Sequence, residues 1–68
     1  MKYIKNNLIW EKRIAYGYTL RQLEEISGVS RTEINNIENG KVNPTIITLQ
    51  LLATALEVEL MELELLEL

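Results

Sequence analysis

Thr19-Leu20-Arg21-Gln22-Leu23-Glu24-Glu25-Ile26-Ser27-Gly28-Val29-Ser30-Arg31-Thr32-Glu33-Ile34-Asn35-Asn36-Ile37-Glu38-Asn39-Gly40 spells two short helices joined by a tight turn. Each half opens with the S/T-x-x-E/Q pattern, Thr19 to Gln22 and Ser30 to Glu33. In that pattern the cap hydroxyl accepts from the amide three residues on, and the third side chain reaches back to the cap amide. Gly28 stands where the first of these helices must leave through a left-handed residue. Working outward, Gly17 plays the same part for a preceding helix, and Gly40 ends the helix that Ser30 starts. Asn43 precedes Pro44 and is held extended, so Thr45 is free to cap the next helix. The reading predicts an all-α, compact five-helix bundle containing a helix-turn-helix. Its helices fall at about 6–16, 20–27, 31–39, 46–56 and a poorly bounded 59–67.

Apolar spacing supports this division. Ile46, Leu49, Ala53 and Leu56 share one helical face, while Ile47 and Leu51 lie on another, so the fourth helix needs cover on two sides. Leu8, Trp10, Ile14 and Leu23 are expected in the core. On the third helix Ile34 and Ile37 point inward, and Thr32, Asn35, Asn36 and Asn39 point the other way. That outward face is polar yet uncharged. Amides and hydroxyls are the groups that base edges in a major groove demand.

Length and composition narrow the chemistry. Sixty-eight residues allow one domain, spanning 1–68, and the absence of Cys and His leaves neither a disulfide nor a zinc site to hold it. With no Asp either, only Glu, Lys, Tyr, Ser and Thr remain and nothing in the sequence assembles them into a nucleophile–base pair; no glycine-rich phosphate loop exists, and so small a chain has little room for a substrate pocket. The reading is therefore not an enzyme, with no cofactor and no metal. The net charge of −3 is uneven: residues 1–45 carry seven bases against five acids, residues 46–68 five glutamates and no base. The first part is suited to an anionic partner. The start of the chain leads into no apolar signal region, and the longest charge-free run, Val42 to Leu56, is too short to span a membrane.

Arg13-Ile14-Ala15-Tyr16-Gly17-Tyr18-Thr19, Leu23, Gly28-Val29-Ser30, Ile34, Ile37-Glu38-Asn39-Gly40, Asn43-Pro44-Thr45 and Leu56 together resemble the phage-repressor family, the lambda repressor and Cro type also called the XRE class. The match runs from residue 8 to about 63. The resemblance implies a small, sequence-specific transcriptional regulator, of repressor type, that binds double-stranded DNA at a pseudo-palindromic operator as a homodimer. It also implies a cytoplasmic protein of prokaryotic or phage origin, on the nucleoid when bound. Carried onto this chain, it implies base reading by Arg31, Thr32 and Asn36. Thr19, Ser30, Asn35, Asn39, Lys41 and Thr45 would hold phosphates. Arg31 has an alternative role, pairing with Glu24, which stands where the family usually has Ala; Arg21 is a second possible partner for Glu24. Leu20 replaces a frequent Gln, Lys12 a usual apolar residue, and Glu57 a cap glycine. Glu38 lies only about 40° from Ile34 around the helix, on the inward arc. Its expected partner, implied by the resemblance, is Arg13, in a structural salt bridge.

From Glu57 to Leu68, Glu alternates with Leu, Val or Met. As a helix, Val58, Met61, Leu65 and Leu68 share one arc; as a strand, Met61, Leu63 and Leu65 face away from Glu62 and Glu64. Leu and Glu are good helix formers, which favours the helix. Segment 57–68 is expected to form a dimerisation or partner-binding surface, with Ile47, Leu51, Met61, Leu63 and Leu65 in the interface. A different functional class stays open beside DNA binding: a protein-interaction or antitoxin-type module of the same fold, gripping a protein partner through this acidic tail.

Overall fold

A computed structural model describes residues 2–3, 6–59 and 66–67, with side chains from Leu8 to Glu59. The order is β1 (Lys2–Tyr3), α1 (Asn6–Ala15), α2 (Leu20–Ser27), α3 (Arg31–Glu38), α4 (Ile46–Ala55) and β2 (Leu66–Glu67). Four helices form the domain among the described residues. The strands are two residues each and pair antiparallel, Lys2 with Glu67 and Tyr3 with Leu66.

Local chemistry accounts for each helix end. At α2 the full capping box forms: Thr19 Oγ1 accepts from the Gln22 amide at 3.0 Å, and Gln22 Oε1 accepts from the Thr19 amide at 2.8 Å. At α3 the forward half forms, with Ser30 Oγ accepting from the Glu33 amide at 3.1 Å. Thr45 Oγ1 caps α4 through the Thr48 amide. Gly28 leaves α2 at φ 81°, its N–H donating to the Glu24 carbonyl at 2.8 Å. A Cβ there would meet nothing within 4 Å, so backbone conformation and not space selects glycine.

The fifth helix expected at 59–67 is not among the helices of the described residues, which number four and not five. Glu57 takes φ 55°, and its N–H donates to the Thr54 carbonyl while that of Val58 donates to the Ala53 carbonyl. This pair of bonds is a Schellman stop: it satisfies the last carbonyls of α4 and turns the chain. Val58 then folds back against the core. Glu59 is outside any helix, and Leu66–Glu67 is strand. Met61, Leu63 and Leu65 lie outside the described residues.

The core is Ile9, Leu23, Val29, Ile34, Ile37, Leu49, Leu52, Ala53, Ala55 and Leu56, with Leu8, Tyr18, Leu20 and Val58 packed around it. Leu8 and Leu23 sit as expected, but Trp10 and Ile14 do not: both are about half exposed. Ile9 fills the core instead. The reason is geometric. Arg13 is turned toward α3, which brings Ile9, about 40° away, inward and leaves Trp10 and Ile14 about 100° and 140° from Ile9 around the helix. On α4, Leu49, Leu52, Ala53 and Leu56 are buried, whereas Ile46, Ile47 and Leu51 are exposed.

Candidate nucleic-acid interface

Helix α3 is held by its buried side. Ile34 and Ile37 are fully enclosed, and Glu38 beside them is 9% exposed. A carboxylate there requires a partner. Arg13 of α1 supplies one in a two-pronged contact: Nε donates to Oε2 at 2.7 Å and Nη2 to Oε1 at 3.0 Å. Its Nη1 donates to the Tyr18 carbonyl at 3.0 Å, so the same guanidinium also fixes the turn that leads into α2. The planar fork of arginine matches a carboxylate in a way lysine does not. This bridge ties α3 to α1.

With that side fixed, the opposite side of α3 is presented to solvent. Thr32, Asn35, Asn36 and Asn39 fall within an arc of about 100° at helical spacing. Thr32, Asn35 and Asn39 are exposed and Asn36 is half-buried. Asn39 Nδ2 donates to Asn35 Oδ1 at 3.2 Å, joining two successive turns of the helix. Arg31, the first residue of α3, is exposed, and its Nε lies 3.1 Å from Glu24 Oε1. Of the two partners open to Glu24, Arg31 is the one it meets.

The remaining candidate residues lie at helix starts and in the loop after α3. Thr19, Ser30 and Thr45 are exposed cap residues at the N-termini of α2, α3 and α4. Helix N-termini present backbone N–H groups that favour anions. Lys41 is exposed just past Gly40, its N–H donating to the Asn36 carbonyl at 2.9 Å, so this loop is tied to the helix it follows. Ile47 and Leu51, expected at a dimer interface, are exposed on α4 at 74% and 42%.

One feature escaped the sequence reading. An open groove of about 460 Å³ runs between α1 and α3, lined by Trp10, Glu11, Arg13, Asn35, Glu38 and Asn39. Trp10, turned outward from the core, forms part of its α1 wall. A tryptophan next to an amide-bearing helix would have been the clue, had the inward arc of α1 been set from Arg13.

The HTH_3 helix-turn-helix family model matches residues 11–63. A curated relative from Sinorhizobium fredii, an uncharacterized HTH-type transcriptional regulator y4dJ, is 45% identical over 47 residues, which is 69% of this chain and 61% of the relative. The chain thus spans somewhat less than two thirds of the length of that relative. Among solved structures, the restriction-modification controller protein C.AhdI from Aeromonas hydrophila is similar at TM-score 0.79 and 32% identity, over 84% of this chain and 86% of that one. The master regulator for biofilm formation SinR, solved in complex with DNA, is similar at TM-score 0.77 and 30% identity, over 82% of this chain and 90% of that one. An HTH_3 family transcriptional regulator from Vibrio cholerae is similar at TM-score 0.77 and 33% identity, over 81% of this chain but 31% of that one. With most of its length matched and the capped α2–turn–α3 unit in place, the chain belongs to the XRE-type helix-turn-helix family, HTH_3.

Proposed function

We propose that this chain is a small transcriptional regulator, of repressor type, that binds double-stranded DNA sequence-specifically with α3 in the major groove. The observation that carries the reading is the uncharged, exposed face of α3, where Thr32, Asn35 and Asn39 stand clear of the core. In this reading Arg31, Thr32 and Asn36 read base edges. Arginine suits guanine O6 and N7, asparagine suits adenine N6 and N7, and threonine suits either a polar edge or a thymine methyl. Thr19, Ser30, Asn35, Asn39, Lys41 and Thr45 contact phosphates and set the register without reading sequence. The likeness to SinR, a protein solved in complex with DNA, supports this reading.

Two copies act together in this account. Ile47 and Leu51, exposed on α4, bury against their twins across a two-fold axis, joined by Met61, Leu63 and Leu65 of the tail. The operator is then a pseudo-palindrome with half-sites about 34 Å apart, one helical turn. No helix among the described residues is long and apolar enough to cross a membrane, and the proposed site of action is the cytoplasm, on the nucleoid. The protein-interaction or antitoxin-type reading has less support, since the relatives that match are regulators.

Selection of bound sequences from a random double-stranded pool tests the proposal. Enrichment of a pseudo-palindromic consensus supports it, and a selected pool no different from the input refutes it.

A further inference from the structure

We infer that Glu24 is a specificity-determining positioning residue, which holds the Arg31 guanidinium toward base edges and off the phosphates. The inference rests on the proposal that Arg31 reads a base. Glu24 sits in the last turn of α2, beside the turn to α3. Its carbonyl accepts the Gly28 N–H at 2.8 Å, and its carboxylate reaches Arg31 Nε at 3.1 Å across that same turn. Nε is the inner end of a guanidinium. The outer Nη1–Nη2 fork, which a guanine O6 and N7 pair requires, lies beyond the contact on a side chain that is 58% exposed.

The physical consequence concerns competition between two anions. An unrestrained arginine at the N-terminus of a helix beside DNA falls onto the phosphates, which are everywhere and carry no sequence information. A carboxylate at the root of that side chain supplies a charge partner that is already in place. It also repels phosphate from the same spot. The guanidinium then gains most where its outer fork meets a guanine without giving up Glu24. In this way one glutamate lowers attraction to DNA in general and raises preference at one base pair.

Binding to the selected operator, to the operator changed at each base pair in turn, and to scrambled DNA, over a range of salt, tests this. Wild type, Arg31→Ala, Glu24→Ala, Glu24→Gln and the Glu24→Ala/Arg31→Ala double variant are compared at a temperature where circular dichroism finds each folded. Arg31→Ala is expected to abolish preference at one base pair, of about 10- to 100-fold in wild type, a bidentate contact's ordinary range. Glu24→Ala is expected to cut that same preference to about threefold or less, and to leave other positions alone. It should bind scrambled DNA more tightly, with a salt slope steeper by about one, as Arg31 becomes free to neutralise a phosphate. The steeper slope should vanish in the double variant, and Glu24→Gln, which keeps shape without charge, should fall between. A purely structural Glu24 would not shift the slope through Arg31.

Intact preference at the Arg31 base pair in Glu24→Ala, with an unchanged slope, overturns the inference while the base-reading assignment stands. Unchanged preference at every position in Arg31→Ala overturns the inference and the Arg31 assignment together. A wild type without any sequence preference overturns both and the proposed function with them.

Discussion

Glu38→Ala is the most informative perturbation of the fold, because one side chain ties α3 to α1. The carboxylate and guanidinium side chains of the Arg13–Glu38 pair are only 5% and 11% exposed. Truncating Glu38 removes both acceptors, at 2.7 and 3.0 Å, and leaves the guanidinium with the Tyr18 carbonyl alone. Removing one partner of a buried pair costs about 3–5 kcal/mol, much of it the charge left unpaired. Here Arg13 and Glu38 line an open groove, so water reaches the orphaned charge and the lower figure applies, about 3 kcal/mol. A domain of this size has roughly 3–10 kcal/mol of total stability. The thermal midpoint should therefore fall by roughly 12–24 °C, at about 4–8 °C per kcal/mol. Urea unfolding followed by circular dichroism reads the loss directly. Should Glu38→Ala fail to fold, the Arg13→Met/Glu38→Leu double variant completes the test, since replacing both charges by apolar groups is often neutral or stabilising. It is expected to recover most of the loss. A loss below about 0.5 kcal/mol for Glu38→Ala would refute the reasoning, by giving the pair the worth of an exposed one.

Glu57→Gly relieves the left-handed strain of a non-glycine residue at φ 55° and should stabilise by about 1 kcal/mol, read as a rise in the urea midpoint; a fall would contradict the Schellman account. Arg31→Ala and Asn36→Ala should each lose about 1–3 kcal/mol of discrimination at particular base pairs while the thermal midpoint barely moves. Lys41→Ala should weaken all sequences alike and reduce the salt slope by about one; a sequence-dependent loss would assign Lys41 to the bases. Sedimentation at tens of micromolar should find a dimer in wild type and a monomer in a Leu63→Glu/Leu65→Glu variant, and a monomeric wild type would remove the two-fold arrangement.

The starts of α2, α3 and α4 were legible because each depends on bonds made within a few residues. Thr19 with Gln22, Ser30 with the Glu33 amide, and Thr45 with the Thr48 amide are decided within four residues. The inward pairing of Ile34 and Ile37 follows from spacing alone. What was not legible depended on longer range. Around α1 two faces compete, and only the distant Glu38 decides that Arg13, and with it Ile9, turns inward; Trp10 and Ile14 were misplaced for that reason. The fate of Glu24 turned on a choice between Arg21, on its own helix, and Arg31, across the turn. Whether the tail is helix or strand stayed open because helix propensity and strand alternation conflict there, and Glu57 stops α4 without the glycine that ordinarily marks such a stop. The groove between α1 and α3 needed both helices placed before it existed.

Methylation interference on the selected operator tests the central claim most directly, because it separates the two grooves. Guanine N7 lies in the major groove and adenine N3 in the minor groove. If the Thr32, Asn35, Asn36 and Asn39 face of α3 enters the major groove, N7 methylation should block binding in two patches about one helical turn apart, and N3 methylation between them should be tolerated. Interference confined to adenine N3, or none at any base within a bound sequence, would contradict it.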